Sequence, residues 1–143
     1  MLKNRFKKIL VPLDGSANSI RGLNEAISLA RQCNSKIFGV HVISRGPFFI
    51  GEKIQELRNF QIKTGMKILE NAKTSAAKNG IDFNGKILRD NEVRNAISDY
   101  AKQRKCDIII MGAKGTAYVR GSFLGSIAYG VVNISEIPVL VVK

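Results

Sequence analysis

The run Asp107-Ile108-Ile109-Ile110-Met111, closed by Gly112, constrains this chain more than any other feature. It is short, continuously apolar and rich in β-branched side chains, which suits a strand buried on both faces, as in the middle of a parallel sheet. A parallel neighbour can be reached only through a crossover of a dozen or more residues, so the rest of the chain should alternate strands with helices. Lys8–Leu13 reads as a first strand, ended by Pro12 and the turn residues Asp14-Gly15-Ser16. Ile20, Leu23, Ile27 and Ala30 then recur at helical spacing from about Ser16 or Asn18 to Cys33, with Asn34-Ser35 closing the helix. Ile37–Ile43 is a second strand, stopped by Ser44-Arg45-Gly46-Pro47.

A long helix is expected from about Glu52 to Asn79, with Ile54, Leu57, Met66, Leu69, Ala72 and Ala76 as its apolar stripe, Gly65 as a local weak point and Gly80 as the residue that ends it. Ile81–Phe83 and Lys86–Leu88 give a modest third strand, and Val93, Ala96, Ile97, Tyr100 and Ala101 mark a third helix. A fourth helix should run from about Ser122 or Ser126 to Ile134, and Pro138–Val142 is the last strand, with proline at its first position. The order is βαβαβαβαβ. Right-handed crossovers then give a five-stranded parallel sheet covered by helices on both faces, a three-layer α/β/α sandwich. At 143 residues the chain matches one domain, 1–143.

Composition excludes several classes. No apolar run approaches the roughly 18 residues of a membrane span, and the basic start Lys3, Arg5, Lys7 and Lys8 leads into too short an apolar segment for a signal peptide, so a cytoplasmic location is expected. Cys33 and Cys106 fall in different elements without metal-ligand spacing and read as buried, reduced thiols. His41 is the sole histidine and reads as a packed strand residue, which removes histidine-based metal sites and any Ser-His-Asp arrangement. Gly46–Lys53 echoes a P-loop, but Glu52 stands where the lysine must be, so the echo is rejected; Phe48-Phe49 reads as a core cap or a dimer contact. The net charge of +12 would draw the protein toward polyanions, yet the cations are spread along the chain without a nucleic-acid motif.

In open α/β sheets ligands bind beyond the carboxyl ends of the strands, where the crossovers leave in opposite directions. If the first strand lies centrally beside the fourth, that rule places Leu13-Asp14-Gly15 opposite Met111-Gly112. Gly112, Gly115, Gly125 and the Ser126 hydroxyl offer donors to a phosphate, and Asp14 offers a carboxylate to ribose hydroxyls or to a phosphate-bound magnesium ion. Asp14 reads equally well as a turn or helix-cap residue, and Lys114 as a loop lysine or as a cation beside the phosphates.

With these motifs in place the chain resembles the universal stress protein family, and its ATP-binding branch in particular, over essentially its whole length. The family's nucleotide motif (glycine, two residues, glycine, nine residues, glycine, serine or threonine) stands here as Gly112, Gly115, Gly125 and Ser126. Ile9–Ser16 resembles the family's first strand and turn, and Val40-His41-Val42 the strand whose backbone holds adenine. The resemblance implies a Rossmann-like fold similar to the adenine nucleotide alpha hydrolases, with the five strands in the order 3-2-1-4-5. It also implies that Pro12, Leu13 and Asp14 border adenine and ribose, that Val42 pairs with adenine through its main chain, and that Met111, Gly112, Lys114, Gly115, Gly125, Ser126 and Ile127 hold ribose and phosphates. Lys114 departs from the histidine or arginine common at this position. The cofactors implied are ATP, or AMP or ADP, and magnesium at Asp14; no catalytic residue is assigned, so hydrolysis should be absent or slow. Ile137–Val142 resembles the strand through which such proteins form homodimers, here Val139–Val142. Two other classes stay open: a weak ATPase, and a nucleotide-free module whose basic surface binds nucleic acid.

Overall fold

The computed structural model describes residues 5–46, 51–114 and 124–143. Five strands, β1 (Lys8–Pro12), β2 (Lys36–Ile43), β3 (Phe83–Arg89), β4 (Ile108–Gly112) and β5 (Val139–Val142), alternate with four helices, α1 (Ala17–Cys33), α2 (Glu52–Lys78), α3 (Val93–Gln103) and α4 (Ser126–Ile134). All strand pairs are parallel, in the order β3-β2-β1-β4-β5 that the family resemblance implies. Among the described residues no helix is long and apolar enough to cross a membrane.

Alternate residues of each strand feed two separate cores, which is the physical content of a sheet covered on both faces. Ile9, Val11, Ile37, Ile108 and Ile110 pack with Leu23, Ala26, Ile27 and Ala30 of α1 and with Leu69, Ala72 and Ala76 of α2. Leu10, Phe38, Val40, Ile109 and Met111 pack on the other face with Ile97, Tyr100 and Ala101 of α3 and Ala128 and Val131 of α4. Ile9, Leu10, Val11, Ile109 and Ile110 are fully buried, so the two central strands serve both cores.

Local chemistry sets the boundaries. β1 stops at Pro12, and Ser16 caps α1 by accepting a hydrogen bond from the Ser19 N–H. Asn34 takes the left-handed conformation at the end of α1, and Gly80, at φ +70°, follows the end of α2. β3 begins at Phe83, so Ile81 and Asp82 precede the strand.

One expectation for α2 needs correction. Leu57 and Met66 are not core residues; they are 55% and 59% exposed, and the buried line runs through Gly65, Leu69, Ala72 and Ala76. The helix is continuous from Glu52 to Lys78, through Gly65. A Cβ at Gly65 would lie 2.6 Å from Cδ2 of His41, so the glycine is what lets α2 lie close over β2. Phe48 and Phe49 lie outside the described residues. Cys106 is buried as expected, whereas Cys33, at the end of α1, is only half-buried.

Candidate functional site

A cavity of about 330 Å³ opens at the carboxyl edge of the sheet, between the ends of β1 and β4 and the first turns of α3 and α4. β1 and β4 are neighbours, and their crossovers leave to opposite faces, so nothing in the topology covers the gap between them. The volume falls in the range of small-molecule sites.

Pro12, Leu13 and Asp14 form one wall as the chain leaves β1. The Leu13 N–H donates to the Val40 carbonyl at 2.8 Å, and its own carbonyl accepts from Nδ1 of His41 at 2.7 Å. The main chain at Leu13 is therefore held on both sides. Asp14 Oδ1 accepts from the Ser16 N–H at 2.9 Å, so this carboxylate does shape the turn into α1 while it borders the cavity.

β2 runs on past β1. Pro12 pairs with Val40, after which β1 has ended and β2 continues to Ile43. Backbone polar groups point to alternate sides along a strand. Since the Val40 carbonyl faces β1, the N–H and C=O of Val42 face the same way, into the cavity where β1 no longer reaches. Val40, Val42, Val93, Ile97 and Met111 make this end apolar.

The opposite end is built where β4 gives way to α4. The Gly125 N–H donates to the Ala113 carbonyl at 2.6 Å, and the Ala113 N–H to the Val142 carbonyl at 2.7 Å. That closure brings Gly112 and Lys114 beside Ser126 and Ile127. It also corrects the donor assignment, because the Gly125 N–H is already engaged by Ala113. The donors that helix geometry leaves without an intrahelical partner are the first-turn N–H groups of α4, at Ser126, Ile127 and Ala128. Gly112 answers first to packing: a Cβ there would lie 2.6 Å from the Asn18 carbonyl oxygen in the first turn of α1.

Pro12, Leu13, Asp14, Val42, Met111, Gly112, Lys114, Gly125, Ser126 and Ile127 thus all line one cavity, while Gly115 lies outside the described residues. Sequence reasoning did not assign Ser19, Val40, His41, Val93, Ile97, Ala113 and Ala128 to it. The signal for Val93 and Ile97 was present, since a helix that follows a parallel strand begins at the carboxyl edge; their apolar periodicity concealed it. Among the described residues no three His, Cys, Asp or Glu side chains gather as a metal site. A divalent cation here would be held chiefly by ligand oxygens, with Asp14 as the protein carboxylate within reach.

Fold and cavity together define an α/β protein with a crevice at the carboxyl edge of its sheet, apolar at one end and lined by helix N–H donors at the other. The model of the universal stress protein family matches residues 5–143, and the chain belongs to that family. It is similar to universal stress protein YxiE of Bacillus subtilis, at 33% identity over 96% of this chain and 99% of that one. Universal stress protein MJ0531 of Methanocaldococcus jannaschii is 31% identical over 99% of this chain and 84% of that one. Among solved structures, the hypothetical protein MJ0577 superposes with a TM-score of 0.89 at 29% identity, covering 97% of this chain and 96% of that one. A universal stress protein from Archaeoglobus fulgidus, solved in complex with dAMP, shares the fold at a TM-score of 0.70 and 24% identity, over 97% and 99% of the two chains. A universal stress protein solved in complex with cAMP does so at 0.77 and 23% identity, over 97% and 98%.

Proposed function

We infer that residues 1–143 act as one domain that binds ATP, with its magnesium ion, at the carboxyl edge of the sheet, and that it serves in the cytoplasm as a regulatory module of the stress response. The observation that carries this reading is the convergence on one amphipathic cavity of Pro12–Asp14 with Gly112–Lys114 and Gly125–Ile127, about a hundred residues further along the chain. An adenine ring suits the apolar end, where the outward-facing backbone of Val42 presents one donor and one acceptor side by side. Phosphates suit the other end, where the first turn of α4 and Lys114 supply positive potential. That proteins of the same fold were solved with dAMP and cAMP supports an adenine nucleotide as the class of ligand.

The domain holds the nucleotide rather than turning it over quickly. Phosphoryl transfer needs a group free to position a water or other nucleophile. His41 is engaged on the Leu13 carbonyl, and one oxygen of Asp14 on the Ser16 N–H.

Calorimetric titration with ATP and magnesium should give saturable heat, and a hundredfold excess over Kd should add about 2.7 kcal/mol of stability, read as a rise in melting temperature. Neither heat nor a melting shift would refute the reading. Asp14→Ala should weaken binding, and phosphate release that rises above background and vanishes in that variant would mark an ATPase instead.

A further inference from the structure

The excess positive charge is not evenly placed. At the amino-terminal edge of the sheet, opposite the nucleotide cavity, Lys7 and Lys8 lead into β1, Lys36 opens β2, and Arg104 and Lys105 follow the end of α3. These residues are contiguous in the fold. Lys8 and Lys36 are register partners on adjacent strands, the Lys36 N–H donates to the Lys7 carbonyl at 2.8 Å, and Nζ of Lys8 donates to the Arg104 carbonyl at 3.3 Å. Arg5 stands next to them in the chain, exposed like Lys7, Arg104 and Lys105.

The nearby acids do not balance them. The Asp107 carboxylate accepts the backbone N–H groups of Lys7 and Lys8, both at 3.0 Å; Glu136 pairs with Lys102 at 3.0 Å; and Asp82 stands at the far side, before β3. Cations in the last turn of a helix offset its dipole, which accounts for Arg31 and Lys102. It does not account for Lys8 and Lys36, which open strands. Like charges facing each other across a strand pair cost stability. The Phe38 ring, 5.8 Å from Nζ of Lys36 and 6.0 Å from Cζ of Arg104, and the Tyr100 ring, 5.5 Å from Cζ of Arg104, offset part of this repulsion. A contiguous cluster of cations that outnumbers its neighbouring acids is a surface suited to an external polyanion.

We propose that this amino-terminal edge binds the phosphodiester backbone of a nucleic acid, without reading its sequence. Among the described aromatics of the edge, Phe38 and Tyr100 are 6% and 7% exposed beneath the cations and Phe6 packs partly buried against the core under Arg5, which points to backbone contact rather than base stacking. The same burial disfavours a membrane surface, which aromatic or aliphatic side chains standing free between the cations would enter. The site is on the pole opposite the nucleotide cavity and does not depend on it.

The test uses the full chain and a fluorescent single-stranded oligonucleotide of about 30 nucleotides, titrated over a range of salt. The combined Lys7→Gln, Lys36→Gln and Lys105→Gln variant should lose about tenfold or more in affinity, and the slope of log K against log salt should fall by about 2. A variant of equal charge, Lys53→Gln, Lys63→Gln and Lys67→Gln on α2, should stay within about twofold of the unaltered protein. Lysine acetylation of the unaltered protein, read by mass spectrometry, removes any dependence on variant folding: the oligonucleotide should protect Lys7, Lys36 and Lys105 and leave Lys53, Lys63 and Lys67 open. Equal losses in the two variants, equal protection of the two lysine sets, or no binding at low salt would overturn the proposal. So would preferential binding to vesicles containing phosphatidylserine with the same edge dependence, which would make the partner a membrane.

Discussion

The Cβ that Gly112 lacks would sit 2.6 Å from the carbonyl oxygen of Asn18, a backbone atom that cannot rotate away. Gly112→Ala should therefore shift the first turn of α1 against β4 and destabilise the protein by roughly 1–3 kcal/mol, the range for overpacking. A melting temperature unchanged from the parent would show that the contact relaxes freely. Cys106 makes a second case at this scale. Burial pushes its thiol up to about 11, the carboxylate of Asp107 adds to the rise, and the cations of Lys8 and Arg104 oppose it. In the unfolded chain a thiol ionises near 8.5. Between about 8.5 and about 11 the folded protein thus holds a proton that the unfolded chain has lost, so this contribution is complete below that window and stability falls as pH rises through it. Chemical unfolding at a series of pH values should show the decline, and Cys106→Ala should flatten it.

At the scale of the element, α1 and α3 were legible because most of each helix's apolar face is core: Leu23, Ala26, Ile27 and Ala30 are buried in one, and Ala96, Ile97, Tyr100 and Ala101 in the other. α2 misled because its apolar residues outnumber its buried positions. Leu57, Phe60 and Met66 are 55%, 67% and 59% exposed, and the contact line is instead set by Gly65 and by small alanines. Periodicity weighs large side chains most, whereas close approach of a helix to a sheet selects small ones. Gly65→Ala tests this directly. The added Cβ, 2.6 Å from the His41 ring, should lift the helix or displace the imidazole from the Leu13 carbonyl, lowering the melting temperature by several degrees and weakening nucleotide binding. Retained stability and affinity would show that the Gly65 contact supports neither.

For the whole molecule, the open edge of the sheet matters most. β5 has one strand neighbour, Leu140 is 43% exposed, and Tyr129 and Val132 of α4 are 62% and 44% exposed. An apolar edge strand beside exposed apolar helix residues invites pairing with another copy unless it is covered. The homodimer expected through Val139–Val142 should appear in sedimentation at micromolar concentration, and Leu140→Lys should convert it to monomer. A monomeric parent protein would refute this.

The sequence alone determined the alternation of elements, and with it the parallel sheet and the pole at which a ligand cavity would form, while the 3-2-1-4-5 order followed from the family its motifs resemble. Crossover handedness and continuous apolar strands leave few other topologies for such a chain. The pairing of the Pro12–Asp14 and Gly112–Ile127 motifs was legible for the same reason, since strand order makes β1 and β4 neighbours. Only the tertiary structure decided which donors remain open. Whether the Gly125 N–H faces a ligand or the Ala113 carbonyl is a tertiary contact between residues twelve apart in the chain, which no local propensity encodes. The same holds for the basic pole: Lys7, Lys36 and Arg104 are scattered in the chain, and strand register alone makes them one surface.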